Sequence, residues 1–326
     1  MVVLAALSTS GRKALQNARS IAGVFILLLL GGCASLFPQT ATLRDTLPPD
    51  LRSRVELKQV PFFPQSEYQC GPAALATVLA ASGAKLTPED LVPEVYLPER
   101  KGSLQIEMLA AARRHGMVSY QLAPRFGDLL REIAAGNPVI VLQNLGFRDG
   151  WHYAVAVGYD YDWGKLYLRS GETERQVMPF AIHELVWMRS GYWAMVALPP
   201  DRIPATADEE RWLSAVAALE RPDPRAAAIA YGTFLKRWPE NVNAAVGLAN
   251  THHVLGELKQ AEAVLRDVAR QHPDSVIVLN NLAQTLSDQG RDAEALPVIE
   301  RAVALGGPFN AAVEDTKRGI QKKLKR

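Results

Sequence analysis

Residues in the C-terminal part of the chain recur at a spacing of 34 positions. Within each period Leu-Ala comes first, then Gly, then Ala and finally Pro, an order that suits a helix, a turn, a second helix and a break. A hairpin of two short helices cannot bury its apolar face alone, so this repeat predicts an array of hairpins packed on one another. The identical residues at this spacing are Pro239 and Pro273, Gly256 and Gly290, Leu248 and Leu282, Ala249 and Ala283, and Ala261 and Ala295.

This period and residue order resemble those of tetratricopeptide repeats, whose unit is a helix–turn–helix of about 34 residues. The resemblance implies an all-α repeat domain over residues 209–326 with about three units. The first unit, with helices expected at 209–220 and 223–237, is degenerate because the turn between them lacks Gly. The last helix, expected at 309–325, is rich in basic residues and suits a polar cap. A generic Ala-rich bundle is the alternative.

The tetratricopeptide resemblance also implies a protein partner. In such domains the first helices of the units line a concave groove that suits an extended or helical peptide. Asparagine side chains in the groove could hydrogen-bond the backbone of the partner, although an ordinary polar helix face would look the same in sequence. The groove residues expected on these helices are Asn243, Gly247, Asn250, Asn281 and Gln284.

The start of the chain has the character of a leader. Three basic residues and no acidic one occur in residues 1–20, and an apolar run follows at 21–30. The run is short for a bilayer span, which takes about 20 residues, but it suits the apolar part of a secretory signal. Because Gly31-Gly32-Cys33 follows, the segment resembles a bacterial lipobox, which implies removal of residues 1–32 and lipidation of Cys33. Plain signal-peptide cleavage and a short membrane anchor are the alternatives.

Two further segments are expected to connect rather than to fold. Residues 33–54 are aperiodic and contain Pro, which predicts a tether behind the lipidated residue. Residue 34 is Ala rather than Asp, and by resemblance to enterobacterial lipoproteins this implies the outer membrane, facing the periplasm. A stretch rich in Pro and small polar residues predicts a linker at 201–208.

Composition and missing motifs exclude several classes of function. The chain has 36 Lys and Arg against 34 Asp and Glu, a balance that does not predict a nucleic-acid partner. Two cysteines cannot build a disulfide framework or a structural zinc cluster. The sequence has no Walker loop, no Gly-rich dinucleotide motif and no HExxH motif, and the adjacent His252 and His253 cannot easily share one metal on a helix. We therefore expect no cofactor and no metal.

Cys70 is the candidate nucleophile. Apolar residues at helical spacing follow it, Pro72 suits a first helical turn, and Gly83 suits the helix end. Cys70 is thus expected at a helix N-terminus, where the helix dipole favours thiolate and lowers the thiol pKa. Gln65 could stabilise an oxyanion together with the Cys70 backbone N–H. A buried structural thiol and a solvated loop glutamine are the alternatives.

His152 is the candidate general base. Residues 136–146 predict one buried strand, and residues 149–162 predict the next, with His152 at its start. An imidazole in that position could meet the Cys70 thiol and accept its proton. A histidine at a strand edge without a catalytic role is the alternative.

These segments and their order along the chain resemble the double-glycine leader peptidases, a family of papain-like cysteine peptidases. The resemblance covers roughly residues 55–200 and includes CGPAALATVL, GSLQIEMLAAARRHGM and WHYAVAVGYD. It implies an α+β papain-like fold, in which a central helix bearing the cysteine packs on an antiparallel sheet bearing the histidine. By this resemblance Gln65 is the oxyanion donor, Cys70 the nucleophile and His152 the base.

The sequence departs from that family at two positions. Gln65 lies five residues before the cysteine rather than six. The family also has an aspartate that orients the histidine, and Ser170 stands at the matching position. A hydroxyl can accept a hydrogen bond from imidazole but supplies no charge to stabilise imidazolium. Asn144, Asp160 or Glu172 could take the place of the aspartate.

The sequence thus predicts a membrane-anchored periplasmic cysteine peptidase, whose repeat domain recruits its peptide or protein substrate. One alternative is a papain-like module that has lost catalysis and serves as an envelope scaffold. Another keeps the thiol chemistry but uses it as an amidase or acyl transferase on cell-wall peptides.

Overall fold

The structure is a computed structural model that describes residues 37–45, 48–65, 69–146 and 150–325. The expected signal peptide and the lipidation site Cys33 lie outside these residues. Within the described part of the chain, no helix is both long and apolar enough to cross a membrane.

A seven-stranded antiparallel sheet organises the N-terminal domain. Its strand order is β2-β7-β3-β4-β5-β6, and β1 pairs with the end of β4 that β3 does not reach. The strands are β1 (Arg54–Glu56), β2 (Val118–Gln121), β3 (Val139–Asn144), β4 (Trp151–Asp160), β5 (Lys165–Ser170), β6 (Thr173–Pro179) and β7 (Ala194–Leu198).

Helices accompany the sheet. They are α1 (Pro38–Asp45), α2 (Cys70–Ala81), α3 (Pro88–Val95), α4 (Gln105–Arg114), α5 (Phe126–Ala134) and α6 (Phe180–Trp187). The central one is α2, whose residues from Gly71 to Leu79 are all buried. A helix that is apolar on every side is stable only inside a core, so α2 packs between the sheet and helices α3 and α4. The expected α+β architecture is confirmed.

The segment expected as a tether contains a docked helix. Helix α1 lies within residues 33–54, and the carboxylate of Glu184 on α6 accepts hydrogen bonds from the backbone N–H groups of Gln39 and Thr40. These two donors are among the unsatisfied amides of the first helical turn, so Glu184 caps α1 from another part of the chain. The expectation of an unstructured tether therefore does not hold for Pro38–Asp45.

The linker at 201–208 is also held in place. Glu132, which is fully buried, accepts hydrogen bonds from the backbone N–H and the hydroxyl of Thr206 at 2.7 and 2.6 Å. Just beyond the linker, the ring of Trp212 packs edge-on against Tyr120 of β2, with centroids 5.8 Å apart. The first helix after the linker thus shares a core with the N-terminal domain.

The C-terminal domain is a stack of helical hairpins, as the repeat predicts. Gly256 and Gly290 stand at the turn of two successive hairpins with φ of 76° and 74°, a conformation that favours glycine. Ala261 and Ala295 follow, and both are fully buried where the paired helices meet. The helices are α7 (Glu209–Ala217), α8 (Pro224–Arg237), α9 (Val242–Val254), α10 (Leu258–Gln271), α11 (Val276–Asp288), α12 (Asp292–Leu305) and α13 (Asn310–Leu324).

Candidate active site

Cys70 is the first residue of α2, as the sequence predicts. The next residue has to be glycine, because a Cβ on Gly71 would overlap the side chain of Ser103. Ser103 precedes α4, so the absence of a side chain at Gly71 lets this segment lie directly against the start of the cysteine helix. Cys70 is therefore packed from two sides, by the sheet below α2 and by the segment before α4.

The pKa of the Cys70 thiol is raised, contrary to the expected lowering. Burial is the main cause, because it disfavours the charged thiolate. Hydrogen bonding to the backbone of Tyr153, Gly71 and Cys70 itself acts in the opposite direction without overcoming burial. The contact with the Tyr153 backbone also places the thiol beside β4, next to the peptide that follows His152.

His152 lies at the start of β4, and its Nε2 atom is 2.9 Å from the hydroxyl oxygen of Ser170. Ser170 is the last residue of the neighbouring strand β5 and is 8% exposed. Strand pairing therefore brings these two side chains together although 18 positions separate them in the sequence. The imidazole is oriented by a neutral hydroxyl.

The structure places the other candidates for orienting the histidine elsewhere. The side-chain oxygen of Asn144 accepts a hydrogen bond from the backbone N–H of Gly146, in the turn after β3. Asp160 lies at the far end of β4, where it accepts from the backbone N–H of Trp163 and pairs with Arg54. Glu172 is exposed in the turn between β5 and β6. Ser170 contacts the His152 ring at Nε2.

Gln65 is held at the same end of the sheet as Ser170. Its backbone N–H donates to the carbonyl oxygen of Gly171 at 3.2 Å, directly after Ser170. The residue is half-buried, and the chain between it and Gln69 lies outside the described residues. The loop that carries the expected oxyanion donor is thus attached to the strand end that carries the histidine's partner.

Tyr153 is a site residue that the sequence analysis missed. Its hydroxyl donates to the carbonyl oxygen of Ser103 at 3.2 Å, and the side chain is 2% exposed. Burial and the nearby Cys70 thiol raise the pKa of Tyr153, so the phenol stays protonated and keeps donating. Tyr153 therefore links the histidine strand to the segment that covers Gly71. Its one signal in the sequence is an aromatic residue directly after His152.

The repeat domain brings two of the expected groove residues together. The side-chain amide of Asn281 on α11 donates to the side-chain oxygen of Asn250 on α9 at 2.9 Å. Gln284 donates to Asp288 one turn along α11, and Asn243 is exposed at the start of α9. These four polar residues lie on the first helices of their units.

Gly247 does not offer a binding surface. It is buried, and a Cβ at this position would overlap the ring of Tyr231 on α8. Glycine at 247 therefore allows two successive hairpins to pack closely. Its role is structural, unlike the expectation that it lines the groove.

Within the described residues, no group of three or more His, Cys, Asp or Glu side chains could hold a metal ion. The adjacent His252 and His253 instead make separate contacts, with Glu257 at 2.7 Å and Asp288 at 2.9 Å.

Two family models match the chain. Residues 57–195 match the peptidase C39-like family, and residues 213–275 and 254–308 match tetratricopeptide repeats. No curated protein sequence matches the chain.

Several solved structures align with parts of the chain at low sequence identity. A putative C39-like peptidase from Bacillus anthracis is 17% identical with a TM-score of 0.38, covering 44% of this chain and 97% of its own. The peptidase domain of Streptococcus ComA is 20% identical with a TM-score of 0.36, covering 43% of this chain and 99% of its own. A MamA variant is 22% identical with a TM-score of 0.31, covering 37% of this chain and 70% of its own. On the two family models, residues 57–195 are a peptidase C39-like domain, and tetratricopeptide repeats follow it.

Proposed function

We propose that the chain is a cysteine peptidase of the bacterial cell envelope. In this proposal a lipid on Cys33 anchors it to the outer membrane, and the protein faces the periplasm. The observation that carries the catalytic part is the contact of His152 with Ser170, at the strand position where the Cys70 thiol meets the β4 backbone. The anchor and the location are supported by the leader sequence that ends at Cys33.

In this proposal the Cys70 thiol gives its proton to His152 as the sulfur attacks the carbonyl carbon of a peptide bond. The negative charge that develops on the carbonyl oxygen is stabilised by the Cys70 backbone N–H and the Gln65 side-chain amide. His152 then gives the proton to the leaving amine, which leaves an acyl group on the sulfur. Water, deprotonated by His152, hydrolyses this thioester and regenerates the thiol.

The raised pKa of Cys70 and the neutral Ser170 together define the resting state. Burial holds the sulfur as a thiol at neutral pH. The partner of His152 is the Ser170 hydroxyl, which carries no charge that could stabilise an imidazolium. The proton therefore moves during attack, rather than being transferred beforehand to form an ion pair. Substrate binding that adds a hydrogen-bond donor to the sulfur would promote this transfer, because it stabilises the thiolate.

The test is labelling of the full-length protein with a peptide electrophile, followed by intact mass measurement. We expect one adduct at Cys70 in the wild type, none in Cys70→Ser, and at least tenfold slower labelling in His152→Ala, because the base is lost. Labelling of Cys70 at the same rate with and without His152 would contradict the catalytic proposal.

A second function, as a binding module without catalysis, is favoured by two observations. Ser170 stands where the peptidase family has an aspartate, and the Cys70 pKa is raised rather than lowered. A module of this kind would bind peptides in the same cleft without forming the acyl adduct. Peptide binding by wild type and Cys70→Ser with equal affinity, together with no turnover by either, would support it.

A further inference from the structure

Helix α1 is fixed to the body of the N-terminal domain. The Glu184 carboxylate, 0% exposed, accepts from the backbone N–H groups of Gln39 at 2.9 Å and Thr40 at 2.6 Å. A buried carboxylate that lost these donors would keep the longer contact with the Tyr192 hydroxyl, at 3.4 Å, but would lose most of its compensation. The pairing therefore holds α1 strongly.

Further contacts fix both ends of the helix. The Gln39 side chain accepts from the backbone N–H of Phe126 and donates to the carbonyl oxygen of Pro124. At the other end, the hydroxyl of Tyr161 donates to the carbonyl oxygen of Leu43, whose side chain is buried. Helix α1 is thus bound along its length and cannot act as a flexible spacer.

This attachment limits how far the domain can stand from an anchor on Cys33. Three residues separate Cys33 from Phe37, so a fully extended chain between them spans at most about 14 Å. A free tether ending at residue 54 would reach about 70 Å by the same rule. The start of α1 must therefore stay close to the bilayer surface if Cys33 carries lipid.

The surface beside α1 has the composition of a membrane interface. Trp163, in the turn between β4 and β5, is 74% exposed and shares a hollow of about 410 Å³ with Arg44 of α1. The Lys165 ammonium lies 5.5 Å from the centre of the Trp163 ring, and Ile182 on α6 is 47% exposed. Exposed tryptophan suits the headgroup region, and basic residues attract anionic lipids; Asp162 is the acidic residue that lines the same hollow.

We propose that this surface, formed by α1, the β4–β5 turn and the start of α6, lies directly on the bilayer with Trp163 in the headgroup region. The proposal rests on the lipidation of Cys33 in the proposed function. It commits to a lipid surface because the short connection from Cys33 joins α1, which forms part of this face.

Docking of this surface on the bilayer would determine which way the active site faces relative to the membrane. His152 and Ser170 lie at the end of the β4–β5 hairpin opposite to Trp163. His152 and Asp160 are eight positions apart on β4, which is about 26 Å at 3.3 Å per residue. The site would therefore face away from the membrane, where soluble proteins held by the repeats can reach it.

The experiment uses the full-length protein reconstituted into vesicles of phosphatidylethanolamine and phosphatidylglycerol, with and without brominated acyl chains that quench tryptophan at close range. Trp163→Phe is the test variant. Trp151→Phe is the matched control, because Trp151 is also exposed, at 55%, but lies beside His152 at the far end of the hairpin. Intact mass of each sample reports acylation at Cys33.

We expect brominated lipid to reduce emission equally in the wild type and Trp151→Phe, and to have little effect on Trp163→Phe. Quenching that is lost with Trp151 instead, or quenching in none of the proteins, would overturn the docking while an acylated mass leaves the anchor intact. A mass without acyl chains would overturn both the anchor and the docking.

Discussion

The Nε2 atom of His152 lies 2.9 Å from the hydroxyl oxygen of Ser170, at the buried end of β5. The hydroxyl can orient the ring but cannot balance the charge of an imidazolium. The Cys70 thiol, which contacts the backbone of Tyr153 directly after His152, has a pKa that burial raises. The site thus combines an imidazole held by a hydroxyl with a thiol that burial keeps protonated.

Replacing Ser170 by aspartate should make Cys70 more reactive. A carboxylate next to His152 stabilises imidazolium, which in turn stabilises thiolate, and a neighbouring opposite charge shifts a pKa by about one unit or more. We expect iodoacetamide to alkylate Cys70 in Ser170→Asp about tenfold faster at neutral pH than in the wild type. The measurement is the alkylation rate as a function of pH.

Ser170→Ala provides the opposite change. Losing the hydrogen bond that orients His152 should slow peptide turnover by about tenfold, the equivalent of about 1.4 kcal/mol. Ser82→Ala is the matched control, because Ser82 also donates one hydrogen bond, to Ala197, but lies beyond the other end of α2. If both alanine variants slow turnover alike, the effect reflects general stability and not the orientation of His152.

Gly71→Ala should destabilise the peptidase domain. The new Cβ would overlap Ser103, and overpacking of this kind costs about 1–3 kcal/mol. Gly232→Ala is the matched control within helix α8, because nothing lies within 4 Å of its added Cβ. Alanine there should stabilise by about 0.5–1 kcal/mol. Urea denaturation of both variants measures the difference, and equal midpoints would contradict the packing described for Gly71.

The sequence around Cys70 and His152 predicts the position of each residue on its helix or strand, because short-range patterns determine where these elements begin. Pro72 and the apolar spacing after it place Cys70 at a helix start, and the short buried runs place His152 at a strand start. The direction of the Cys70 pKa shift depends on burial by elements distant in the sequence, and the helix dipole alone gives the wrong sign. The docking of α1 depends in the same way on Glu184, which lies 144 positions beyond Thr40.

Stability of the repeat domain should fall in acid because of Glu262. Burial alone would raise the pKa of Glu262, but hydrogen bonds from Arg266, Arg291 and Gln289 lower it to about 2. The unfolded value is 4.5, so the folded state gains stability above pH 4.5 and loses it as the pH falls from 4.5 towards 2. Solvent screens these ion pairs, so we expect Glu262→Gln to reduce stability at pH 7 by roughly 1 kcal/mol and to flatten this pH dependence.

Urea unfolding of the full chain between pH 2 and pH 7, followed by helical circular dichroism, checks this prediction. Glu240→Gln is the control, because Glu240 is exposed at the end of the turn before α9. If stability depends on pH in the same way in the wild type and in Glu262→Gln, the contacts of Glu262 with Arg266 and Arg291 do not stabilise the repeat domain.

The Asn250–Asn281 pair should contribute to partner binding through the first helices of two successive units. One hydrogen bond joins the two amides, and the Asn281 oxygen also accepts from the Asn280 side chain at 3.2 Å. The amide group of Asn250 and the second lone pair of the Asn281 oxygen could then bond the backbone of a bound peptide. We expect Asn250→Ala/Asn281→Ala to weaken capture of the partner at least tenfold with little change in the unfolding midpoint, because Asn250 is exposed. Removing the whole repeat domain is a poorer test, since Trp212 packs on Tyr120 and its loss would expose the peptidase core.

The experiment for the asparagine pair is a pull-down that compares the wild type, the double variant and Gln284→Ala. Gln284 already donates to Asp288 within α11, so its loss should matter less than loss of the asparagine pair. Equal recovery of the same proteins by all three would place the recruiting surface elsewhere on the chain.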